Sequence, residues 1–127
     1  MEELATRVRV MLVEDQADFR HLMATLLGRQ PDLEVVAQAK SLAEARGHAR
    51  TARFDVVVLD LGLPDGTGTD LIPELRGASP GTAVLVLSAS LNPGSLAKAS
   101  EAGADEIMDK FAALDEVVDT IRRLGAC

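Results

Sequence analysis

F-D-V-V-V-L-D-L-G-L-P-D-G-T-G, residues 54–68, is the stretch of the 127-residue chain on which its fold turns. Val56, Val57, Val58 and Leu59 form an unbroken apolar, mostly β-branched run, which suits a strand buried on both faces in the middle of a parallel sheet. The run ends at once in a carboxylate, Asp60, followed by a loop holding Pro64, Gly66 and Gly68. An acid at the carboxyl end of a central parallel strand stands where open α/β sheets place their ligands. A lone aspartate there more often caps a turn, so the rest of the chain decides whether other groups converge on it.

Outward from this stretch the chain alternates. Residues 1–7 read as a polar lead-in. Val8 to Val13 reads as a first strand followed directly by Glu14 and Asp15, and Phe19, Leu22, Met23, Leu26 and Leu27 form an apolar stripe at helical spacing. Gly28 and Pro31 bracket the end of that helix. Leu33 to Ala39 gives a second strand, and Ser41 with Glu44 predicts a capping box opening an Ala-rich helix to about Thr51. Beyond the central strand, Thr67 or Gly68 begins a short helix to about Arg76, with a kink expected at Pro73. Thr82 to Leu87 is a fourth strand ending at Ser88. Asn92 and Pro93 open a fourth helix that Gly103 stops after Ala102. Ala104 to Met108 is a fifth strand just before Lys110. Leu114, Val117, Val118, Ile121 and Leu124 mark the last helix.

Five β–α units with short connections predict an α/β fold, (βα)5, with a doubly wound five-stranded parallel sheet and right-handed crossovers. The length bounds the chain to one domain, 1–127, with a core of about 8–124. Apolar residues make up 47%, and Phe19, Phe54 and Phe111 are the only aromatics, so core packing rests on Val, Leu, Ile and Ala and a base-stacking platform is not expected. Net charge is −7 with no basic cluster, which argues against direct nucleic-acid binding. A lone cysteine, Cys127, fits a reducing cytoplasm. Neither a signal peptide nor an apolar run approaching ~18 residues is present, so no membrane association is expected.

In a parallel sheet all carboxyl ends of the strands share one edge. That edge would collect Glu14 and Asp15 from the first strand, Asp60 from the third, Ser88 from the fourth and Lys110 from the fifth. Two carboxylates ~4 Å apart repel by about 4 kcal/mol at a surface-like effective dielectric, so the cluster invites a cation. Oxygen-only ligands favour Mg2+. Asp60 would then serve as a carboxylate nucleophile toward a phosphoryl group, with Lys110 and Ser88 holding phosphoryl oxygens. The plainer alternative is a solvated Lys110–Asp60 ion pair.

With these residues in order, the chain from about Val8 to Leu124 resembles the receiver domain of two-component response regulators, the flavodoxin-like, CheY-like fold. The resemblance rests on E-D after the first strand, V-V-V-L-D-L-G-L-P-D-G-T-G around Asp60, L-S-A after the fourth strand and G-A-D-E-I-M-D-K before the last helix. It implies that Asp60 takes a phosphoryl group from a sensor histidine kinase or phosphotransfer protein. Asp15 would bind Mg2+ directly, Glu14 largely through water, and Gly62 through its backbone carbonyl. Ser88 would be the switch hydroxyl and Lys110 the lysine of the motif. The implied protein is a signalling switch with slow autodephosphorylation, not a turnover enzyme. It would act on an output domain or partner protein through the face made by the fourth helix, fifth strand and last helix, and phosphorylation-dependent homodimerisation is left open. P-D-L-E-V-V-A-Q-A and L-P-D-G-T-G resemble the branch joined to helix-turn-helix output domains.

Two positions depart from the family pattern. Phe111 follows the lysine where proline is usual, which predicts a trans Lys110–Phe111 bond, since a non-proline cis bond costs about 3–4 kcal/mol, and a shifted loop before the last helix. Ile107 stands where Tyr or Phe is usual, so a swinging ring cannot be the readout. These departures keep a phosphorylation-independent scaffold, a pseudo-receiver, as the alternative. A dehalogenase-type phosphohydrolase would want an acid at Gly62, and a flavodoxin-like FMN carrier would want a hydroxyl-rich cradle in place of E-D-Q. His21 and His48 are expected on solvated helix faces, the methionines after Met1 as core filler, Asp65 in turn chemistry and Cys127 exposed without function.

Overall fold

A computed structural model of the chain describes residues 7–89 and 91–126. The lead-in before Arg7 and Cys127 lie outside the described residues, as does Ser90. Five strands form one sheet: β1 (Val8–Val13), β2 (Leu33–Ala39), β3 (Val56–Leu59), β4 (Ala83–Ser88) and β5 (Glu106–Asp109). Every pairing is parallel, and the order is β2-β1-β3-β4-β5. Five α-helices connect and follow them: α1 (Ala17–Gly28), α2 (Leu42–Thr51), α3 (Leu71–Ala78), α4 (Pro93–Ala102) and α5 (Leu114–Gly125). The doubly wound (βα)5 sheet expected from the alternation is the fold.

Strand periodicity divides the core in two. Met11, Val13, Val57, Leu59, Val84 and Val86 face one side and pack with Leu42, Ala45, Leu71, Ile72, Leu75 and Ala99 of α2, α3 and α4. Val10, Leu12, Val56, Val58, Leu85 and Leu87 face the other and pack with Met23, Leu27, Val117, Val118 and Ile121 of α1 and α5. All four residues of β3 are buried, as a central strand covered on both faces requires. Arg76 of α3 fastens the far side, donating to the carbonyls of Thr82 at 2.9 Å and Gly103 at 2.7 Å and to the Asp105 carboxylate.

Several local expectations are corrected. Leu22 is 56% exposed, because the α1 stripe buries Met23 and Leu27 and turns Leu22 outward. The helix after Asp60 opens as a 3-10 turn, Gly68–Asp70, and becomes α-helical at Leu71. Pro73 therefore sits in the first α-helical turn, where its missing N–H costs little, and does not kink a longer helix. The fourth strand is shifted by one residue, beginning at Ala83 instead of Thr82 and ending at Ser88, and the fifth runs from Glu106 to Asp109 instead of Ala104 to Met108. Ser41 accepts from the Glu44 N–H, but Glu44 returns its carboxylate to the Lys40 N–H, one residue short of a reciprocal box. The full box belongs to α4, where Asn92 and Ser95 cap each other's backbone. His48 is half-buried with Nε2 3.1 Å from the Gln38 carbonyl.

Candidate functional site

The strand ends converge on one open cleft of about 530 Å³, lined by Asp15, Gln16, Phe19, Asp60, Gly62, Ser88 and Lys110 among others. Parallel pairing places the residues there. Val13 pairs with Leu59 and Ser88 with Asp109, so the residues that follow these pairs emerge side by side. The Asp60 N–H donates to the Val13 carbonyl at 3.0 Å, and the Lys110 N–H donates to the Ser88 carbonyl at 3.0 Å. Asp15 is exposed at the mouth, Asp60 is half-buried, and Glu14 and Ser88 are buried beneath. All five strand-end groups singled out in the sequence, with Gly62, share this edge.

Lys110 is not a solvated partner of Asp60. Its side chain is only 5% exposed, and its ammonium contacts Glu14 Oε1 at 2.8 Å while Asp60 Oδ2 stands at 3.7 Å. Gln16 Oε1 accepts a further Lys110 proton at 2.8 Å, and the Phe19 ring centroid lies 4.5 Å from Nζ, close enough for a cation–π contact. Glu14 also accepts from the Gln16 N–H at 3.0 Å, and its carbonyl accepts from Arg20. Burial pushes the Glu14 carboxyl above its ordinary value, with Asp60 adding repulsion, while the Lys110 and Gln16 hydrogen bonds pull it back. The site thus holds more negative than positive charge in a partly desolvated place.

The Asp60 side of the cleft is built by a ribbon the sequence did not announce, in a stretch read as loop apart from the Gly62 carbonyl and a helix start at Thr67 or Gly68. Gly62–Leu63 and Gly66–Thr67 form a two-stranded antiparallel ribbon, and the Gly68 N–H donates to the Leu61 carbonyl at 2.8 Å. A Cβ at Gly68 would lie 2.4 Å from the Asp60 carbonyl oxygen, so the backbones meet there only because the residue is glycine. Asp65 is not confined to its own turn. Its carboxylate caps α2, accepting from Leu42 N–H at 2.8 Å and Ala43 N–H at 3.0 Å, and these bonds hold it below the usual carboxylate value. The D-G-T-G run signalled a tight turn at Gly68, but the α2 terminus that Asp65 reaches is 22 and 23 residues away in sequence and carried no local signal.

Gln16 is the residue that the sequence reading passed over. The Lys110–Phe111 bond is trans, and Phe111 is 80% exposed beside the cleft. Ile107 is half-buried against the core on the α2–α4 side. One carboxylate oxygen each from Glu14, Asp15 and Asp60 lies within 4.8 Å of the others. This all-oxygen set fits a small hard cation such as Mg2+. Both Glu14 oxygens already accept hydrogen bonds, so Asp15 and Asp60 are the freer donors.

Residues 10–122 match the family model described as the response regulator receiver domain. The DNA-binding transcriptional activator DevR/DosR of Mycobacterium tuberculosis is 36% identical over 94% of this chain and 55% of its own length. The KDP operon transcriptional regulatory protein KdpE of Escherichia coli is 35% identical over 89% of this chain and 49% of its own length. The chain therefore spans about half the length of these curated relatives. Among solved structures, a LuxR-family two-component response regulator from Aurantimonas superposes with a TM-score of 0.87 at 30% identity, over 95% of this chain and 86% of that one. The signal receiver domain of a NarL response regulator from Mycobacterium tuberculosis gives 0.89 at 26% identity, over 95% and 98%.

Proposed function

Because the chain belongs to the response regulator receiver domain family, we propose that Asp60 is its phosphoacceptor, charged from the phosphohistidine of a sensor histidine kinase or phosphotransfer protein. An Asp60 carboxylate oxygen attacks phosphorus, the P–N bond breaks, and the imidazole leaves with the electron pair and is reprotonated from solvent. Lys110 and Ser88 then hold phosphoryl oxygens, the ammonium as a point charge and the hydroxyl as a donor. Asp15, Asp60 and the Gly62 carbonyl would hold Mg2+, with Glu14 acting through water, and the bound ion supplies charge neutralisation at the phosphoryl oxygens. Hydrolysis of the acyl phosphate resets the acid, so the protein is a switch and not a turnover enzyme.

The observation that carries this reading is the Lys110 ammonium, buried among Glu14, Gln16 and Asp60 in the cleft that Ser88 also lines. The output is a partner protein or joined domain engaged through α4, β5 and α5. A DNA-binding output, as named for the M. tuberculosis relative, would lie in a separate domain. Ile107, packed into the core, offers no ring to swing, so the relay would run through displacement of the β4–α4 segment beyond Ser88.

Intact-protein mass spectrometry after incubation with Mg2+ and acetyl phosphate tests the assignment. A phosphoryl adduct is expected on the wild type and none on Asp60→Asn. No adduct under any donor or kinase would overturn it in favour of a scaffold.

A further inference from the structure

Gln16 occupies the N-cap position of α1, where Ser, Thr, Asn or Asp would accept from a first-turn N–H. Its side chain makes no capping hydrogen bond. It reaches 94 residues along the chain to accept from Lys110 at 2.8 Å. The Lys110 ammonium has three protons to place. Glu14 Oε1 at 2.8 Å and Gln16 Oε1 take two, and Asp60 Oδ2, at 3.7 Å, is outside hydrogen-bond reach.

We propose that Gln16 is a positioning residue that holds the Lys110 ammonium off Asp60 in the resting protein, leaving the carboxylate open to attack phosphorus. The inference rests on the reading of Asp60 as the phosphoacceptor. Without the Gln16 acceptor, a desolvated ammonium loses one hydrogen bond, and the adjacent replacement is Asp60 Oδ2. A shift of about 1 Å closes that gap to a charge-assisted hydrogen bond. An Asp60 so engaged has one lone pair occupied and is a poorer nucleophile. The Gln16 N–H that donates to the Glu14 carboxylate belongs to the backbone and is retained in Gln16→Leu. Gln16 is exposed and its side chain caps nothing, so Gln16→Leu leaves the core and the α1 terminus as they were.

Initial rates of adduct formation with Mg2+ over a range of acetyl phosphate concentrations, in wild type, Gln16→Leu, Lys110→Ala and the double variant, test the proposal. Gln16→Leu is expected to lower the maximal rate roughly three- to tenfold while the half-saturating donor concentration stays within about twofold. The same substitution in the Lys110→Ala background is expected to change nothing further, because the effect runs through the lysine. The 15Nζ resonance of Lys110 reads the ammonium directly and is expected to move in Gln16→Leu. An unmoved resonance, equal rates in wild type and Gln16→Leu, or the same loss in both backgrounds overturns the role. A wild type that forms no adduct removes the phosphoacceptor assignment and this inference with it, whereas a normal wild type beside an unaffected Gln16→Leu removes this inference alone.

Discussion

The two loops that bring Asp60 and Lys110 together are held in opposite ways. The Asp60 loop is anchored to a distant helix, since Asp65 caps α2, and is closed on itself where Gly68 meets the Asp60 and Leu61 backbone and the ribbon pairs Gly62 with Thr67. The loop after Lys110 is tied mainly to itself. Asp109 accepts from the Phe111 N–H through its side chain and from the Ala112 N–H through its carbonyl, both within three residues, and the Phe111 ring points into solvent. Lys110 itself is fixed by its ammonium and by one backbone bond to Ser88. A phosphoacceptor is best held rigid, because attack on phosphorus needs a fixed angle. On the proposed reading the ammonium would instead leave one set of acceptors for another, and a loop with few distant contacts would let it.

Gly68→Ala strikes the rigid side hardest. The added methyl would lie 2.4 Å from the Asp60 carbonyl oxygen and 3.1 Å from Leu61 Cα, and neither backbone atom can rotate away. We expect a loss of about 1–3 kcal/mol in urea unfolding, as for other over-packed sites, together with a slowed phosphorylation of Asp60. Full stability with a normal adduct rate would show that the loop yields, and the contrast between the two sides would collapse.

Asp65→Ala should cost less than Gly68→Ala, and its cost should depend on pH. The two backbone N–H groups of α2 hold Asp65 below its ordinary value of 3.8. A carboxylate with a depressed folded-state pKa contributes stability that is present above its unfolded value and is lost as pH falls through the folded one. The variant should therefore lower the urea midpoint clearly near pH 7 and converge on the wild type well below about pH 4. Asp32, held down by Arg122, and Glu74, held down by Arg46, keep part of the acid limb in the variant. A midpoint gap that stays constant with pH would mean that Asp65 acts by shape and not by charge.

Much of this arrangement was legible in the sequence because it follows from short-range patterns. The apolar run Val56–Leu59 announces a central strand, and parallel order then forces Asp15, Asp60, Ser88 and Lys110 to one edge whatever the details of the turns. What escaped reading depends on distance. Nothing local to Gln16 says that its amide leaves the helix terminus for a lysine 94 residues on, and nothing local to Asp65 says that it caps a helix begun more than 20 residues earlier. Leu22 escaped for another reason: a stripe of five apolar residues is wider than the face that β1 and β2 can cover, so one of them is left in solvent.

Phe111→Ala is expected to have the smallest effect, and for that reason it is a clean check on the yielding side. The ring is 80% exposed, so removing it returns little apolar surface to water. Alanine keeps the backbone N–H that donates to Asp109, and the Ala112 bond to the Asp109 carbonyl does not involve the side chain. The urea midpoint and slope should both stay near the wild type, within about 0.5 kcal/mol. A larger loss would mean that the ring braces the loop, and the ammonium of Lys110 would then be held from both ends like its counterpart at Asp60.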